Sequence, residues 1–345
     1  MAIIKPILQI LIIIGLSQQC FAQSNVNSAT IPAAYKSALI NDLTKTLYAA
    51  QGLLALKASN LINSQTNDCT EFSANGICTN LAIRETEVST PKLTSKSIIL
   101  SGAYELTDQW RIGVYLDEGT ITSNPSYTYV KQRGGDPILG AYSVYKDKIW
   151  GAPYNFRLGA NIGSTSIDIS TPNIINLGSL SRSLNLKAQS YLALLTTYFP
   201  VAPRVLVIPY LGTTYTSINI EGSNNNSSKF SNIPIIFNDV FANIFALQVG
   251  LSSAYQLNDS ILLAATAGIQ HTLSSSISNM TVSQLPALSG YTGQTSLATN
   301  VPTLMALAKI KTYADHELSA KIIYRQEVFQ RIGVTSYILN YSIGF

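Results

Sequence analysis

The sequence has few charged residues. Asp, Glu, Lys and Arg make up 12% of its 345 residues, about half the share of an average soluble domain. It has two histidines and three cysteines, so it offers few ligands for a metal site. Its net charge is only +4, and without a long run of Lys or Arg this gives little support for nucleic-acid binding. We therefore expect no metal, no cofactor and no nucleic-acid partner.

Long apolar runs are also missing. After residue 22 no stretch approaches the ~20 apolar residues that a membrane-spanning helix needs. Yet hydrophobic residues make up 46% of the chain and the mean hydropathy is +0.20, and with 19 tyrosines the sequence is too apolar and aromatic to be disordered. A chain of this composition either buries a large core or forms a membrane β-barrel.

The first 22 residues have the pattern of a secretory signal peptide. Lys5 precedes an apolar run that ends at Leu16, and the polar stretch after it ends in Cys20-Phe21-Ala22. The run is too short to span a membrane, and its flanks are those of a cleaved signal. We predict export and cleavage after Ala22.

Export would leave Cys69 and Cys78 as the cysteines of the mature chain. Two close cysteines in an exported protein favour a disulfide, and two thiols without a nearby histidine disfavour a zinc site. The short loop predicts a stabilisation of roughly 2.5–3 kcal/mol on the chain-entropy estimate. We place this bond on the periplasmic side, between a helix and the first strand.

The helix is predicted from Pro32 to about Asn60. Leu39, Leu43 and Leu47 recur at every fourth position, as on one face of a helix. The polar stretch that follows predicts a linker. The chain accordingly divides into a signal peptide (1–22), a short N-terminal segment with a plug helix (23–62), a linker with the cysteine pair (63–76) and a β-region (77–345).

From Ile77 onward the hydrophobic period is two. At the C-terminus one face carries Tyr337, Leu339, Tyr341, Ile343 and Phe345, and the other face is mostly small or polar. Segments of this kind recur over ~10 residues each, which is the pattern of outer-membrane strands.

The connections between these segments separate a barrel from a β-sandwich. Short turns alternate with long polar connections, as they do between the periplasmic and outer ends of bacterial barrels. The long connections are predicted at Ser123–Gly135, Ser170–Asn185, Glu221–Asn238 and Ser274–Pro302. We therefore predict an all-β membrane protein: an antiparallel outer-membrane β-barrel of about 12 strands preceded by an α-helix.

Charged residues on the polar faces are expected to line the lumen, because a Lys or Arg facing mid-bilayer lipid costs roughly 2–4 kcal/mol. The predicted lumen charges are Arg84, Glu105, Arg111, Asp117, Arg157, Lys321 and Arg325. They could make a weakly anion-favouring pore, or pair with one another and with a plug. In the second case the helix residues Lys36, Asp42 and Lys45 would face them.

A signal peptide, a helix and about 270 residues of barrel that end in Phe resemble the C-terminal translocator domain of bacterial autotransporters (type V secretion). The end of the chain is also similar to the signal read by the outer-membrane barrel-assembly machinery. The residues that carry this signal are Phe345, Ile343, Tyr341, Leu339 and Gly333.

The resemblance implies a monomeric barrel in the outer membrane of a Gram-negative bacterium, in contact with lipid and with the assembly machinery. Only Gln23–Ile31 would remain as passenger. Some family members cleave themselves at an Asn-Asn step in the helix, where this sequence has Asn41-Asp42. We expect a structural, transport or surface-exposed role without catalysis.

Three other functions stay open at the level of sequence. A porin-like channel could be gated by the N-terminal helix. A barrel hydrolase could use His271 or His316 with one of the many serines. An adhesin could act through the long connection Glu221–Asn238.

Overall fold

The computed structural model describes residues 33–90, 92–123, 129–134, 137–174, 178–221, 224–225, 235–237, 239–278, 282–283, 297–313, 315–328 and 332–345. Within these ranges the chain forms a helix and a closed β-barrel. The predicted signal peptide, its cleavage site after Ala22 and the segment Gln23–Ile31 lie outside the described residues.

Helix α1 spans Ala33–Gln65, so it is longer than predicted and the linker begins at Thr66. The segment is free of proline and rich in Ala, Leu and Lys, which are good helix formers. Its polar last turn resembles a loop in sequence. The backbone N–H of Thr66 donates to Asn63 O at 3.2 Å and tightens that turn. No helix in the described part of the chain is long and apolar enough to cross a membrane.

Twelve antiparallel strands close the barrel, which confirms the predicted number. Their bounds are β1 (Ile77–Val88), β2 (Leu93–Glu105), β3 (Trp110–Ser123), β4 (Ile138–Ile149), β5 (Ala152–Ile174), β6 (Gly178–Thr197), β7 (Val205–Glu221), β8 (Val240–Gln256), β9 (Ile261–Ile277), β10 (Asn300–Tyr313), β11 (His316–Gln326) and β12 (Gly333–Gly344). Each strand pairs with its neighbours in sequence, and β1 pairs with β12 from Cys78↔Gly344 to Val88↔Val334. This last pairing removes both sheet edges.

Short strands extend the wall beyond these spans. Tyr129–Arg133 pairs with β3 and β5, and Phe199–Ala202 pairs with β7. Three further pieces form a small antiparallel sheet of their own: Asn224–Asn225, Ile235–Phe237 and Val282–Ser283.

The two faces of each strand differ in burial, as the alternation predicts. On β1 the outward side chains of Leu81 and Ile83 are 49% and 58% exposed, whereas Asn80 and Arg84 on either side of them are 2% and 1% exposed. Apolar groups therefore face lipid and polar groups face the lumen, which is the arrangement a membrane barrel requires.

All four long connections contain more strand than predicted, and two of them extend the barrel wall itself. Ser123–Gly135 includes the strand Tyr129–Arg133. Within Ser170–Asn185, β5 and β6 keep pairing as far as Ile174↔Gly178. These segments are polar because they lie beyond the lipid, and polar side chains do not prevent backbone pairing. The strand ends that were predicted from composition were therefore wrong in these segments.

At the end of the barrel opposite to the long connections, the turns are short. Trp150 and Gly151 have φ of 51° and 82° and connect β4 to β5. A two-residue hairpin with positive φ at both positions matches the twist of the strands it joins, and glycine adopts such a conformation without steric cost.

Aromatic side chains surround this end. Trp110, Tyr255, Tyr313 and Phe345 are each 45% exposed or more. Trp110 also packs on Tyr145, with ring centroids 4.9 Å apart. Amphipathic rings at this level match an interfacial girdle.

Candidate functional site

The second half of helix α1 lies inside the barrel. Every residue from Ala49 to Gln65 is buried, so no face of this segment is open to water. A helix ~10–12 Å across can be surrounded on all sides only within a wide barrel. The helix packs against β1, β2, β4, β5, β6, β7 and β12. It therefore lies against one side of the lumen.

Several polar side chains of this helix are bound by the wall. Asn63 Nδ2 donates to Ser336 Oγ at 2.8 Å, and Gln65 Nε2 donates to the carbonyl of Ser190 at 2.7 Å. From the wall side, Asn161 Nδ2 donates to a helix carbonyl, Leu61 O, at 2.7 Å. Buried polar groups need such partners. They therefore fix both the depth and the rotation of the helix.

A buried ion pair lies beside the end of the helix. Arg84 Nη1 is 2.8 Å from Asp117 Oδ2, and each side chain is 1% exposed. Ser64 of the helix joins both groups, because its hydroxyl accepts from Arg84 at 2.8 Å and donates to Asp117. Two predicted lumen charges thus pair with each other and hold the plug.

A second cluster holds the linker. Asp68 Oδ2 contacts Arg111 and lies 3.0 Å from Arg157 Nη1. Arg157 also stacks on Tyr142, with its Cζ 4.2 Å from the ring centroid. Two guanidinium groups share one carboxylate, so this cluster carries excess positive charge.

The remaining predicted lumen charges differ in their surroundings. Glu105 lies 3.3 Å from Lys146 in a half-exposed pair. Lys321 is half-buried, and the described residues offer it no ion pair. Arg325 is 7% exposed, and its Nε and Nη1 are buried without a hydrogen-bond partner in the described part of the chain.

The wall charges that were expected to face Lys36, Asp42 and Lys45 have other partners among the described residues. Lys45 is half-buried, and the side chains of Lys36 and Asp42 lie outside the described ones. Asp117 instead contacts a helix hydroxyl, and Arg111 and Arg157 contact Asp68 of the linker. Sequence reasoning missed Asp68, although an acidic residue next to Cys69 was a possible signal.

The linker is tied to the wall by a disulfide between Cys69 and Cys78. Their Cα atoms are 5.9 Å apart and both residues are 0% exposed. The backbone N–H of Cys69 also donates to the Tyr142 hydroxyl at 3.3 Å. The bond joins the chain just after α1 to the first strand, so it restricts movement of the plug.

Two tyrosine–glycine pairs support this region. On β3 and β4, Gly113 is the direct partner of Tyr142, and Tyr115 is the direct partner of Gly140. Each tyrosine ring occupies the space that a Cβ on its glycine would need. The glycines thus let both rings lie flat on the inner wall, which leaves room for the linker.

The predicted assembly signal lies along β12. The outward side chains of Phe345, Tyr341 and Leu339 are 52%, 40% and 51% exposed. Ile343 is half-buried and Gly333 begins the strand. The backbone N–H of Phe345 donates to Ile77 O at 2.9 Å, so the terminal residue also helps to close the barrel.

The two histidines have neutral partners. His271 Nδ1 is 2.7 Å from Asn300 Oδ1 on the neighbouring strand, and His316 Nδ1 is 2.7 Å from the Tyr341 hydroxyl. Neither ring forms an ion pair or a hydrogen bond with a carboxylate among the described residues. The same part of the chain has no group of three or more His, Cys, Asp or Glu that could hold a metal.

The sequence matches the family of autotransporter β-domains over residues 85–308. The chain belongs to this family. It is an autotransporter translocator-like β-barrel, and its family implies the bacterial outer membrane. Barrels of this family are not enzymatic by themselves. No curated protein matches the sequence.

Two solved autotransporter structures are similar in fold. The translocator domain of NalP from Neisseria meningitidis has a TM-score of 0.58 and 14% identity, over 92% of this chain and all of that one (100%). The β-domain of the Bordetella autotransporter BrkA has a TM-score of 0.54 and 13% identity, over 79% of this chain and 100% of that one.

Proposed function

We propose that this protein is a translocator-type barrel that is closed by its own helix, and that it anchors the chain N-terminal to that helix at the outer end of the barrel. The burial of every residue from Ala49 to Gln65 carries this proposal. The direction follows from the fold: the linker Thr66–Gly76 leads from the helix to β1, which starts at the end with short turns. The N-terminus of the helix therefore points toward the opposite, outer end of the barrel.

The finer features of this proposal come from the sequence. A signal peptide cleaved after Ala22 would direct export, and the C-terminal residues Leu339, Tyr341, Ile343 and Phe345 would be read by the barrel-assembly machinery. The barrel would be monomeric, with its apolar outer face in lipid. It would have no catalytic activity, and the neutral partners of His271 and His316 support this.

Conductance tests whether the lumen is closed. In planar lipid bilayers we expect the wild-type barrel to conduct weakly, because α1 and the linker fill one side and the outer end. Deletion of residues 33–65 should raise the conductance at least several-fold. Equal conductance of wild type and deletion would contradict a plug.

A locked variant controls for misfolding of the deletion. Asn63 and Ser336 are in hydrogen-bond contact at 2.8 Å, so Asn63→Cys combined with Ser336→Cys should tie the helix to β12. Oxidation of this variant should suppress any voltage-induced openings of the wild type, and reduction should restore them. Openings that persist in the oxidised variant would show that ions do not pass where the helix lies.

A porin-like channel is the second candidate. The wall of β8–β11 carries half-exposed inward side chains, including Ser252, Thr266 and Met305, so the helix does not fill the whole lumen. A channel along this wall would give a large and stable conductance with the helix in place. The locked variant distinguishes the two functions, because such a channel would stay open after oxidation.

A further inference from the structure

One side of the lumen is accessible to water. On β9 and β10 the inward side chains of Leu262, Thr266, Met305 and Leu307 are half-buried. The inward residues of β1 that face the helix are buried. The exposure of the inward cations rises toward the short turns, from 28% at Lys309 to 52% at Lys311. The space along β8–β11 therefore opens at the end with short turns.

The strand register arranges the lining of this space in rows. In one row Tyr210, Gly250, Gly268, Thr303 and Arg325 are successive partners across five strands. Neighbouring strands lie ~4.8 Å apart, and the Tyr210 ring lies over the two glycines. The Tyr210 hydroxyl is thereby brought toward Thr303 and Arg325.

Arg325 provides a buried positive charge without a direct ion pair at this level. It is 7% exposed, and its Nε and Nη1 have no hydrogen-bond partner in the described part of the chain. The nearby Glu327 forms no ion pair with it within the described residues, and a helix hydroxyl, that of Ser59, binds Glu327 instead. A buried guanidinium with unused N–H groups is costly unless an anion pairs with it.

The rows nearer the short turns are mainly apolar. The next row contains Ile208, Ser252, Thr266, Met305 and Ile323 as successive partners. The row after it joins Leu206 through two alanines to Leu307 and Lys321. The space thus has a cationic, hydroxyl-bearing inner end, an apolar body and a second cation nearer its mouth.

We propose that this side of the lumen binds a small organic carboxylate with an apolar body. Its carboxylate accepts hydrogen bonds from Arg325, and from the hydroxyls of Tyr210 and Thr303. Its apolar part packs on Ile208 and Met305. Lys321 attracts the anion toward the mouth. This binding does not depend on protein translocation.

Calorimetric titration of the full-length oxidised barrel in detergent tests the proposal, with benzoate as the probe. We expect saturable binding that is at least tenfold tighter than that of benzyl alcohol, which lacks the charge, or of formate, which lacks the apolar body. Equal binding of benzyl alcohol and benzoate would overturn the carboxylate site. So would an absence of saturable benzoate binding.

Three variants locate the site. Arg325→Gln should weaken benzoate binding at least tenfold, whereas Arg204→Gln, in an exposed turn on the same end of the barrel, should leave it unchanged. Tyr210→Phe keeps the ring over the glycines and should weaken binding about threefold to tenfold, so it tests the site if Arg325→Gln does not fold. Unchanged affinity in a folded Arg325→Gln or in Tyr210→Phe would refute the assignment.

Discussion

The two sides of the lumen have similar alternating strands, but their inward residues differ in burial and in charge pairing. On the side of β1–β5 most inward residues are buried against helix and linker, and their arginines have acidic partners: Arg84 pairs with Asp117, and Arg111 and Arg157 share Asp68. On β9 and β10 most inward residues are half-exposed, whereas the neighbouring Arg325 on β11 is buried and has no ion pair among the described residues. The same inward position is thus a core site on one side and a solvent-facing site on the other.

The difference teaches that burial in this barrel is set by the position of the plug. The alternation determines whether a side chain points inward or outward. The off-centre helix determines whether an inward side chain is buried or exposed to water. Small residues add to the contrast, because Gly250 and Gly268 leave room for the half-buried Tyr210 ring to lie flat on this wall. The following changes separate the two sides, in decreasing order of expected effect.

The largest effect is expected from the ion pair on the filled side. Asp117→Ala should lower the free energy of unfolding by about 3–5 kcal/mol, since it leaves Arg84 buried and unpaired. Urea unfolding in detergent measures this. The double variant Arg84→Leu with Asp117→Leu should recover most of the loss, and Glu85→Gln in the exposed Lys96–Glu85 pair, 67% and 40% exposed, should cost under about 1 kcal/mol. Equal effects of Asp117→Ala and Glu85→Gln would remove the contrast.

Loss of the disulfide comes next. Cys69→Ser combined with Cys78→Ser should cost about 2.7 kcal/mol, from the entropy of the loop in the unfolded chain. The same urea series with and without reductant measures it. The double serine variant controls for the reductant, to which its unfolding should not respond. A wild-type barrel of equal stability in both conditions would show that the plug is held without this bond.

A methyl group added at a glycine compares the two walls directly. Gly113→Ala should cost roughly 1–3 kcal/mol, because the buried Tyr142 ring cannot move away. Gly268→Ala should cost less, since Tyr210 is half-buried and can swing into the open space. Gly102→Ala is the control, because its nearest neighbour would be Cys78 O at 3.9 Å. An equal or larger loss at Gly268 than at Gly113 would contradict the looser packing of the wall around Tyr210.

A pH-dependent effect, separate from the stability losses ranked above, concerns Glu327, which lies beyond the end of β11. Burial raises its pKa from 4.5 to about 7, against the opposing effects of Arg325 and Ser59. Between pH 4.5 and 7 the folded state therefore keeps a proton that the unfolded state has released. The contribution of Glu327 to the free energy of unfolding is complete below pH 4.5 and falls as the pH rises to about 7. It falls by at most about 1.4 kcal/mol per pH unit.

The matching measurement is the urea midpoint as a function of pH. Glu327→Gln removes the titrating group, so its midpoint should vary less over this window than that of the wild type. A wild-type midpoint that rises with pH in this range would contradict a raised pKa for Glu327.

The fold was largely predictable, and the reasons are visible in particular segments. The alternation from Tyr337 to Phe345 fixed the outward face of β12, and the charge-poor composition pointed to a membrane barrel. The ends of β5 and β6 were not predictable, because the polar residues around Ile174 and Gly178 pair without any hydrophobic signal. The last turn of α1 was missed for a similar reason, since Asn63 and Gln65 are held by the wall.

Sequence alone predicted about 12 strands, the two faces of the clearly alternating segments and the pairing partners of the disulfide, because these follow from period, turn chemistry and the number of cysteines. Only the tertiary structure decided which charges meet. Arg84 and Asp117 lie on β1 and β3, and Ser64 joins them from the helix. Such contacts depend on the barrel register and on where the helix rests, and neither is encoded in a local pattern. The half-exposed inward residues of β9 and β10 have the same origin, because the helix packs mainly on β1, β2, β4–β7 and β12.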